Sequence, residues 1–192
     1  MQNLQNVICI TDRHLCRKPF PEQMRIVAAH QPAAIVLREL DVMEDAYRTL
    51  VERVRPVCEE FGVPLIVHTF YETALALGIP KVKLHLEDLR TLPEDVRKQF
   101  EVIGTTVHSV EEAREAVSLG ATFLTASLAA GNRDKYGEGN HLLDFLKEVS
   151  SAVDVPVFAM GGASREDLDS CLASGAAGLC MMSRLMTLDE GE

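Results

Sequence analysis

Four of the six histidines, His14, His68, His85 and His108, fall at or just beyond the ends of short β-rich runs. One reading position per run collects a polar ring: Asp12, Arg13 and His14, then Arg38, then His68 and Thr69, then His85, Glu87 and Asp88. Thr106 and His108, Ser127, Gly161 and Gly162, and Met182 and Ser183 complete it. Histidine exchanges a proton near neutral pH, so His108 is the first candidate for acid–base chemistry and His68 the second. The plainer alternative for His108 is a ring that caps the next helix or is held by backbone. Arg38 can hold an anion or a developing oxyanion, or else pair with Glu39 or a neighbouring strand. Gly161-Gly162 precedes a helix capped by Ser164, so backbone N–H groups there can approach an anion. A tight strand-to-helix turn is the alternative. His68, His85 and Asp88 are conceivable metal ligands, but no His-x-x-x-His pair exists and spacing alone supplies no metal geometry. Magnesium needs oxygen ligands, for which Asp88 with Asp12 is a thin set.

These residues need a frame to bring them together. Eight β-rich runs recur: Val7–Thr11, Ala34–Arg38, Pro64–His68, Lys81–His85, Val102–Val107, Thr122–Ala126, Val155–Met160 and Gly178–Ser183. Several are near-continuously apolar, as parallel strands covered by helices are. Helical spacing fills the intervals at Pro21–Ala29, Glu44–Glu60, Val110–Leu119, His141–Val149 and Arg165–Ala173, and Tyr71–Leu77 and Pro93–Phe100 read as short helices. Ser109 followed by Glu112 reads as a capping box. Strand–helix alternation repeated eight times, with no Gly-x-Gly-x-x-Gly after the first strand, predicts a single (β/α)8 TIM barrel over residues 1–192. Strand C-termini form the active face of such a barrel, and phosphate sites recur after strands seven and eight. That assigns phosphate to Gly161, Gly162, Met182 and Ser183. The segment after the eighth run is short, so the last helix is expected to be abbreviated.

Composition narrows the function class. The chain has 192 residues, 47% hydrophobic and 25% charged, an ordinary globular mix with no linker. A net charge of −10 without a basic cluster argues against nucleic acid, and any anionic ligand must then be held by local groups. No run approaches the length of a membrane span, and Met1–Asn6 lacks the pattern of a signal peptide. The five cysteines are odd in number and widely spaced, which reads as buried reduced thiols in a cytoplasmic protein.

Several segments resemble the thiamine phosphate synthase and thiazole tautomerase (TenI-type) superfamily. Ile10-Thr11-Asp12-Arg13 resembles its first strand end and Val36-Leu37-Arg38-Glu39 its second. The closest match is Ile103-Gly104-Thr105-Thr106-Val107-His108-Ser109-Val110-Glu111-Glu112-Ala113, and Ala159–Ala163, Ala173–Gly178 and Met182-Ser183 complete it. The resemblance implies a (β/α)8 barrel with thiazole phosphate held by the Gly-Gly turn and the last strand end, and a homodimer is plausible for the family. Thr106, Ser127 and Lys135 are further expected ligand contacts. A synthase joins a pyrimidine diphosphate to thiazole phosphate with Mg2+ and releases pyrophosphate. Its recognition groups depart here: Val36 and Leu40 flank Arg38 where Gln and Lys are usual, and His68-Thr69 replaces an Asn-Asp pair. Asp88 matches the second acidic ligand, and Ser127–Gly139 replaces a Thr-x-Thr-Lys loop, with Asn132, Arg133 and Lys135 as remnants.

A tautomerase moves one proton within a carboxylated thiazole phosphate and needs no metal. Its Ser-Val-His-Ser motif matches Thr106-Val107-His108-Ser109, and Lys135-Tyr136-Gly137 resembles its Lys-Lys-Gly. The resemblance is closer to this TenI-type branch, with His108 as the proton carrier. A synthase with an altered diphosphate site and a non-catalytic thiazole phosphate-binding protein are the two alternatives.

Overall fold

Eight short strands account for the eight apolar runs: β1 (Val7–Ile10), β2 (Ala34–Leu37), β3 (Leu65–His68), β4 (Lys81–Leu84), β5 (Val102–Val107), β6 (Phe123–Ser127), β7 (Val157–Met160) and β8 (Gly178–Met181). The computed structural model describes residues 4–127, 141–161 and 164–190. Hydrogen bonding runs from β1 through β8 in chain order and closes, which makes a (β/α)8 barrel of parallel strands. Most strands stop short of the apolar runs that predict them. Pro64 and Pro156 have no N–H for a ladder, so β3 and β7 start after them.

The helices are α1 (Phe20–Ala29), α2 (Glu44–Phe61), α3 (Tyr71–Ala76), α4 (Leu86–Thr91), α5 (Glu94–Arg97), α6 (Val110–Ser118), α7 (His141–Ala152), α8 (Leu168–Ala173) and α9 (Ser183–Met186). Two differ from expectation. The segment after β4 reads as rim loop, yet it forms α4, because Leu86 and Leu89 are buried one turn apart and Glu87 and Asp88 suit a helix N-terminus. The stretch Arg165–Ala173 divides into a 3-10 turn, Arg165–Asp167, and α8. There Asp167 Oδ2 accepts from the Ser164 N–H at 2.8 Å and from its hydroxyl at 2.9 Å. The last helix is short, as expected. Among the described residues no helix is long and apolar enough to cross a membrane. None of the five cysteines forms a disulfide; four are buried and Cys16 is half-buried.

The chain sorts into two compact units, Met1–Val82 with Met181–Glu192, and Lys83–Cys180. In the first unit, β1, β2 and β3 pair in register Ile8 to Ala34 and Ile35 to Leu65. Helix α2 buries Tyr47, Val51, Val54 and Cys58, which recur at helical spacing, and ends at Gly62 in the left-handed conformation. The buried Gln23 amide donates to the Leu185 and Leu188 carbonyls at 2.9 and 3.0 Å, so α1 holds the segment around α9.

In the second unit, β5, β6 and β7 pair so that Thr106, Thr125 and Phe158 share one face, as do Ser127 and Met160. Helices α6 and α7 pack against the opposite face, where Val107, Ala126 and Ala159 are wholly buried. On the face turned from the helices, Thr106, His108, Ser127, Phe158 and Met160 are half-buried, so solvent reaches it. Gly104 and Phe123 interlock there: a Cβ at Gly104 would stand 2.1 Å from the Phe123 ring, which meets Phe158 edge-on at 6.3 Å. Gly104→Ala is therefore expected to destabilise the protein by about 1–3 kcal/mol through overpacking. An unchanged midpoint in urea denaturation would show that the ring has room to move.

Candidate active site

His108 directly follows β5 and is restrained from two sides. The hydroxyl of Ser109 accepts from the Glu112 N–H at 3.1 Å and so caps α6. The Glu112 carboxylate accepts from the His108 N–H at 2.7 Å, one residue earlier than the reciprocal bond of an ideal capping box. The helix N-terminus thus fixes the backbone of the candidate base. The ring is fixed by Nδ1, which lies 2.7 Å from the Ser127 carbonyl oxygen at the end of β6. A carbonyl only accepts, so Nδ1 carries the proton and Nε2 carries the lone pair of the neutral ring. The backbone hold offered as the plain alternative is present, and it assigns the base to one nitrogen.

Ser127 uses its carbonyl for this task. Its hydroxyl stands 3.4 Å from the position of a Cβ at Gly161, and Gly161 has φ +95, so glycine suits both the turn and the space there. Gly162 and Lys135 lie outside the described residues. Met182 precedes α9 and Ser183 begins it; both are exposed.

Lys83 was not among the residues singled out by sequence. It is 4% exposed, and its Nζ donates to the Thr106 hydroxyl at 2.7 Å. Thr106 and Thr125 hydroxyl oxygens are 2.9 Å apart, and Thr125 donates to the Thr105 carbonyl at 3.3 Å. The direction follows: Lys83 donates to Thr106, Thr106 to Thr125, Thr125 to backbone. Thr106, expected as a ligand contact, directs its hydroxyl proton at Thr125. The available signal is the alternation of Lys81 and Lys83, which places two polar residues on one face of β4.

In the first unit the ends of β1 and β2 are joined by a buried carboxylate. Glu39 accepts from the Thr11 hydroxyl at 2.8 Å, from the Arg13 N–H at 3.1 Å and from the Arg13 guanidinium at 2.9 Å. Arg13 also grips Asp41 with both terminal nitrogens at 2.5 Å, and His14 Nε2 lies 2.8 Å from the same carboxylate. Asp41 is held well below the usual carboxylate range, first by Arg13 and then by His14. The alternative of an Arg38–Glu39 salt bridge is corrected: Glu39 pairs with Arg13. Among the described residues the half-buried Arg38 guanidinium makes no hydrogen bond or ion pair, while its N–H donates to Thr11 at 3.0 Å.

Tyr47 closes the ends of β2 and β3. Its hydroxyl donates to the Leu37 carbonyl at 2.6 Å and accepts from the His68 N–H at 2.9 Å, while its ring packs on Phe70. Burial pushes the Tyr47 phenol up. His68 is 4% exposed, and its Nδ1 lies 2.7 Å from the Thr69 hydroxyl. Thr69 has φ +67, a strained conformation for a β-branched residue.

The profile of the thiamine monophosphate synthase family (TMP-TENI) matches residues 7–185. The chain belongs to this family. Thiamine-phosphate synthase of Roseiflexus castenholzii is 32% identical over 83% of this chain and 71% of its own. A putative thiamine-phosphate synthase 2 of Aquifex aeolicus is 29% identical over 95% of this chain and 98% of its own. Among solved structures, thiamine phosphate pyrophosphorylase from Pyrococcus furiosus superposes with a TM-score of 0.78 at 28% identity, covering 96% of this chain and 90% of that one. The TMP-TENI assignment places the chain among thiamine-biosynthesis barrels.

The TMP-TENI resemblance raises magnesium, and the donor set tests it. Asp88 lies exposed in the first turn of α4, and His85 is exposed just before that helix. Among the described residues no three His, Cys, Asp or Glu side chains group as a metal site. Thr69, where a carboxylate is usual, bonds to His68. Of these residues Asp88 alone brings a carboxylate, so the set by itself offers magnesium one charged oxygen ligand.

Tyr47→Phe removes the one hydroxyl that serves both strand ends and leaves a buried carbonyl and N–H without it. A stability loss of about 1–3 kcal/mol is expected in chemical denaturation. A loss near zero would mean that other groups close those ends.

Proposed function

We propose that this TMP-TENI barrel is a thiazole tautomerase-like enzyme acting on a carboxylated thiazole phosphate. The observation that carries the reading is the His108 Nδ1–Ser127 carbonyl bond, which leaves basicity at Nε2. Nε2 takes a proton from a ring carbon of the thiazole, and the imidazolium formed returns it elsewhere on the same molecule. The product is the aromatic tautomer, with no net gain or loss of atoms. The cap at Ser109 and the bond from Glu112 hold the histidine through that cycle, so little reorganisation accompanies transfer. The turn at Gly161 supports phosphate recognition by backbone N–H groups, with Gly162, Lys135, Met182 and Ser183 in the roles read from sequence. Arg38 keeps its proposed role of holding negative charge, and its lack of an ion pair among the described residues supports that.

A second reading, thiamine phosphate synthesis, is favoured by the names of the relatives. Release of pyrophosphate from hydroxymethylpyrimidine diphosphate and thiazole phosphate, dependent on Mg2+, would establish it in place of the first.

His108→Ala is expected to lower aromatisation of the carboxythiazole phosphate, followed by ultraviolet absorbance, by about 10²–10⁴-fold while ligand binding persists. Undiminished turnover in this variant, or none above the uncatalysed rate in the wild type, would rule the reading out.

A further inference from the structure

We propose that Thr11 and Tyr47 are positioning residues that act through Arg38, by fastening the peptide group that carries it. This rests on the reading above, in which Arg38 holds negative charge on the ligand, and adds the residues that aim it.

Past the last β1–β2 ladder bond, where the Thr11 N–H donates to the Val36 carbonyl at 3.0 Å, lies the peptide that joins Leu37 to Arg38. Side-chain hydroxyls take both of its polar groups. The Leu37 carbonyl accepts from Tyr47 at 2.6 Å, and the Arg38 N–H donates to Thr11 at 3.0 Å. A hydroxyl has one proton, and a second partner settles where each of these two points. Thr11 gives its proton to Glu39 at 2.8 Å, which turns a lone pair toward the Arg38 N–H. Tyr47 accepts from the His68 N–H at 2.9 Å, which leaves its proton for Leu37. Glu39 is held in turn by the Arg13 N–H and guanidinium. Thr11, Tyr47 and Glu39 are all buried, so water does not compete for these bonds. One peptide plane is thus fixed from the β1 side and from α2. The side chain it carries is a half-buried guanidinium that makes no hydrogen bond or ion pair among the described residues, whereas Arg13 is engaged by Glu39 and Asp41. A long side chain on a fixed backbone has less freedom to lose when it meets an anion. The two hydroxyls therefore lower the ordering cost of the charge-assisted bond that Arg38 forms with the ligand.

The test is a double-mutant cycle read by calorimetric binding of the carboxythiazole phosphate. Thr11→Val removes the hydroxyl and keeps the branched shape, Thr11→Ser restores the hydroxyl, and Arg38→Met removes the cation. Arg38→Met should weaken binding about tenfold or more, the size of one lost charged hydrogen bond. Thr11→Val should weaken it about fivefold in the wild type and less than about twofold in the Arg38→Met background. Thr11→Ser should stay within about twofold of the wild type. The non-additivity is the readout, because a merely structural hydroxyl would cost the same affinity in both backgrounds. Tyr47→Phe loosens the same peptide from its carbonyl side, and its own cycle with Arg38→Met decides the matter should Thr11→Val not fold. Equal losses in both backgrounds, or no loss at all, would overturn the positioning role while the tautomerase reading stands. An Arg38→Met variant that binds as the wild type does would overturn it together with the role of Arg38, and leave the proton transfer at His108 standing. A wild type that does not bind the probe would overturn both the inference and the reading.

Discussion

A strand of four residues ends before its last backbone groups have found partners, and a buried carbonyl or N–H without one is costly. The described strand ends are closed largely by side chains. The Ser127 carbonyl takes the His108 ring, the Leu37 carbonyl and His68 N–H take the Tyr47 hydroxyl, and the Thr105 carbonyl takes Thr125. This one requirement organises the candidate site. It explains why polar side chains gather where the strands stop, and why those side chains have defined orientations before any ligand arrives. The order of the candidate site is here a by-product of hydrogen-bond completion.

The same view accounts for what was legible in the sequence. Apolar runs of strand length and helical spacing between them are consequences of burial alone, so eight strands and most helices could be read directly. His108 was legible because its type and place suffice to suggest proton chemistry. Its tautomer was not, because that depends on a carbonyl 19 residues away. Lys83 was missed because a lysine among alternating residues reads as a solvated strand face, and only the fold shows it buried. Glu39 read as a partner for its neighbour Arg38, yet the pairing of β1 with β2 brings Arg13 within reach of it instead. Helix α4 was obscured by the chemical interest of Glu87 and Asp88, which suit a helix start equally well.

Charge is handled locally throughout. The chain as a whole is strongly acidic, with a net charge of −10, and such a surface does not concentrate anions. In the first unit Arg13 is drawn into the Glu39 and Asp41 carboxylates, whereas Arg38 stays apart from them. Glu39 therefore holds the β1 and β2 ends together through Thr11 and Arg13, and Arg38 takes no part in that pairing. In the second unit Lys83 sits behind a line of neutral hydroxyls. Positive groups are outnumbered, 19 to 29, and their value comes from placement.

Thr69 carries a different consequence. Its left-handed backbone costs about 1–3 kcal/mol relative to a relaxed residue, and asparagine or glycine would adopt it with less strain. Threonine at this place supplies the hydroxyl beside the His68 ring, which glycine cannot. A relaxed backbone and a hydroxyl beside the His68 ring thus pull in opposite directions at a single codon. Laboratory evolution toward heat tolerance would drift away from threonine here unless activity were screened at the same time.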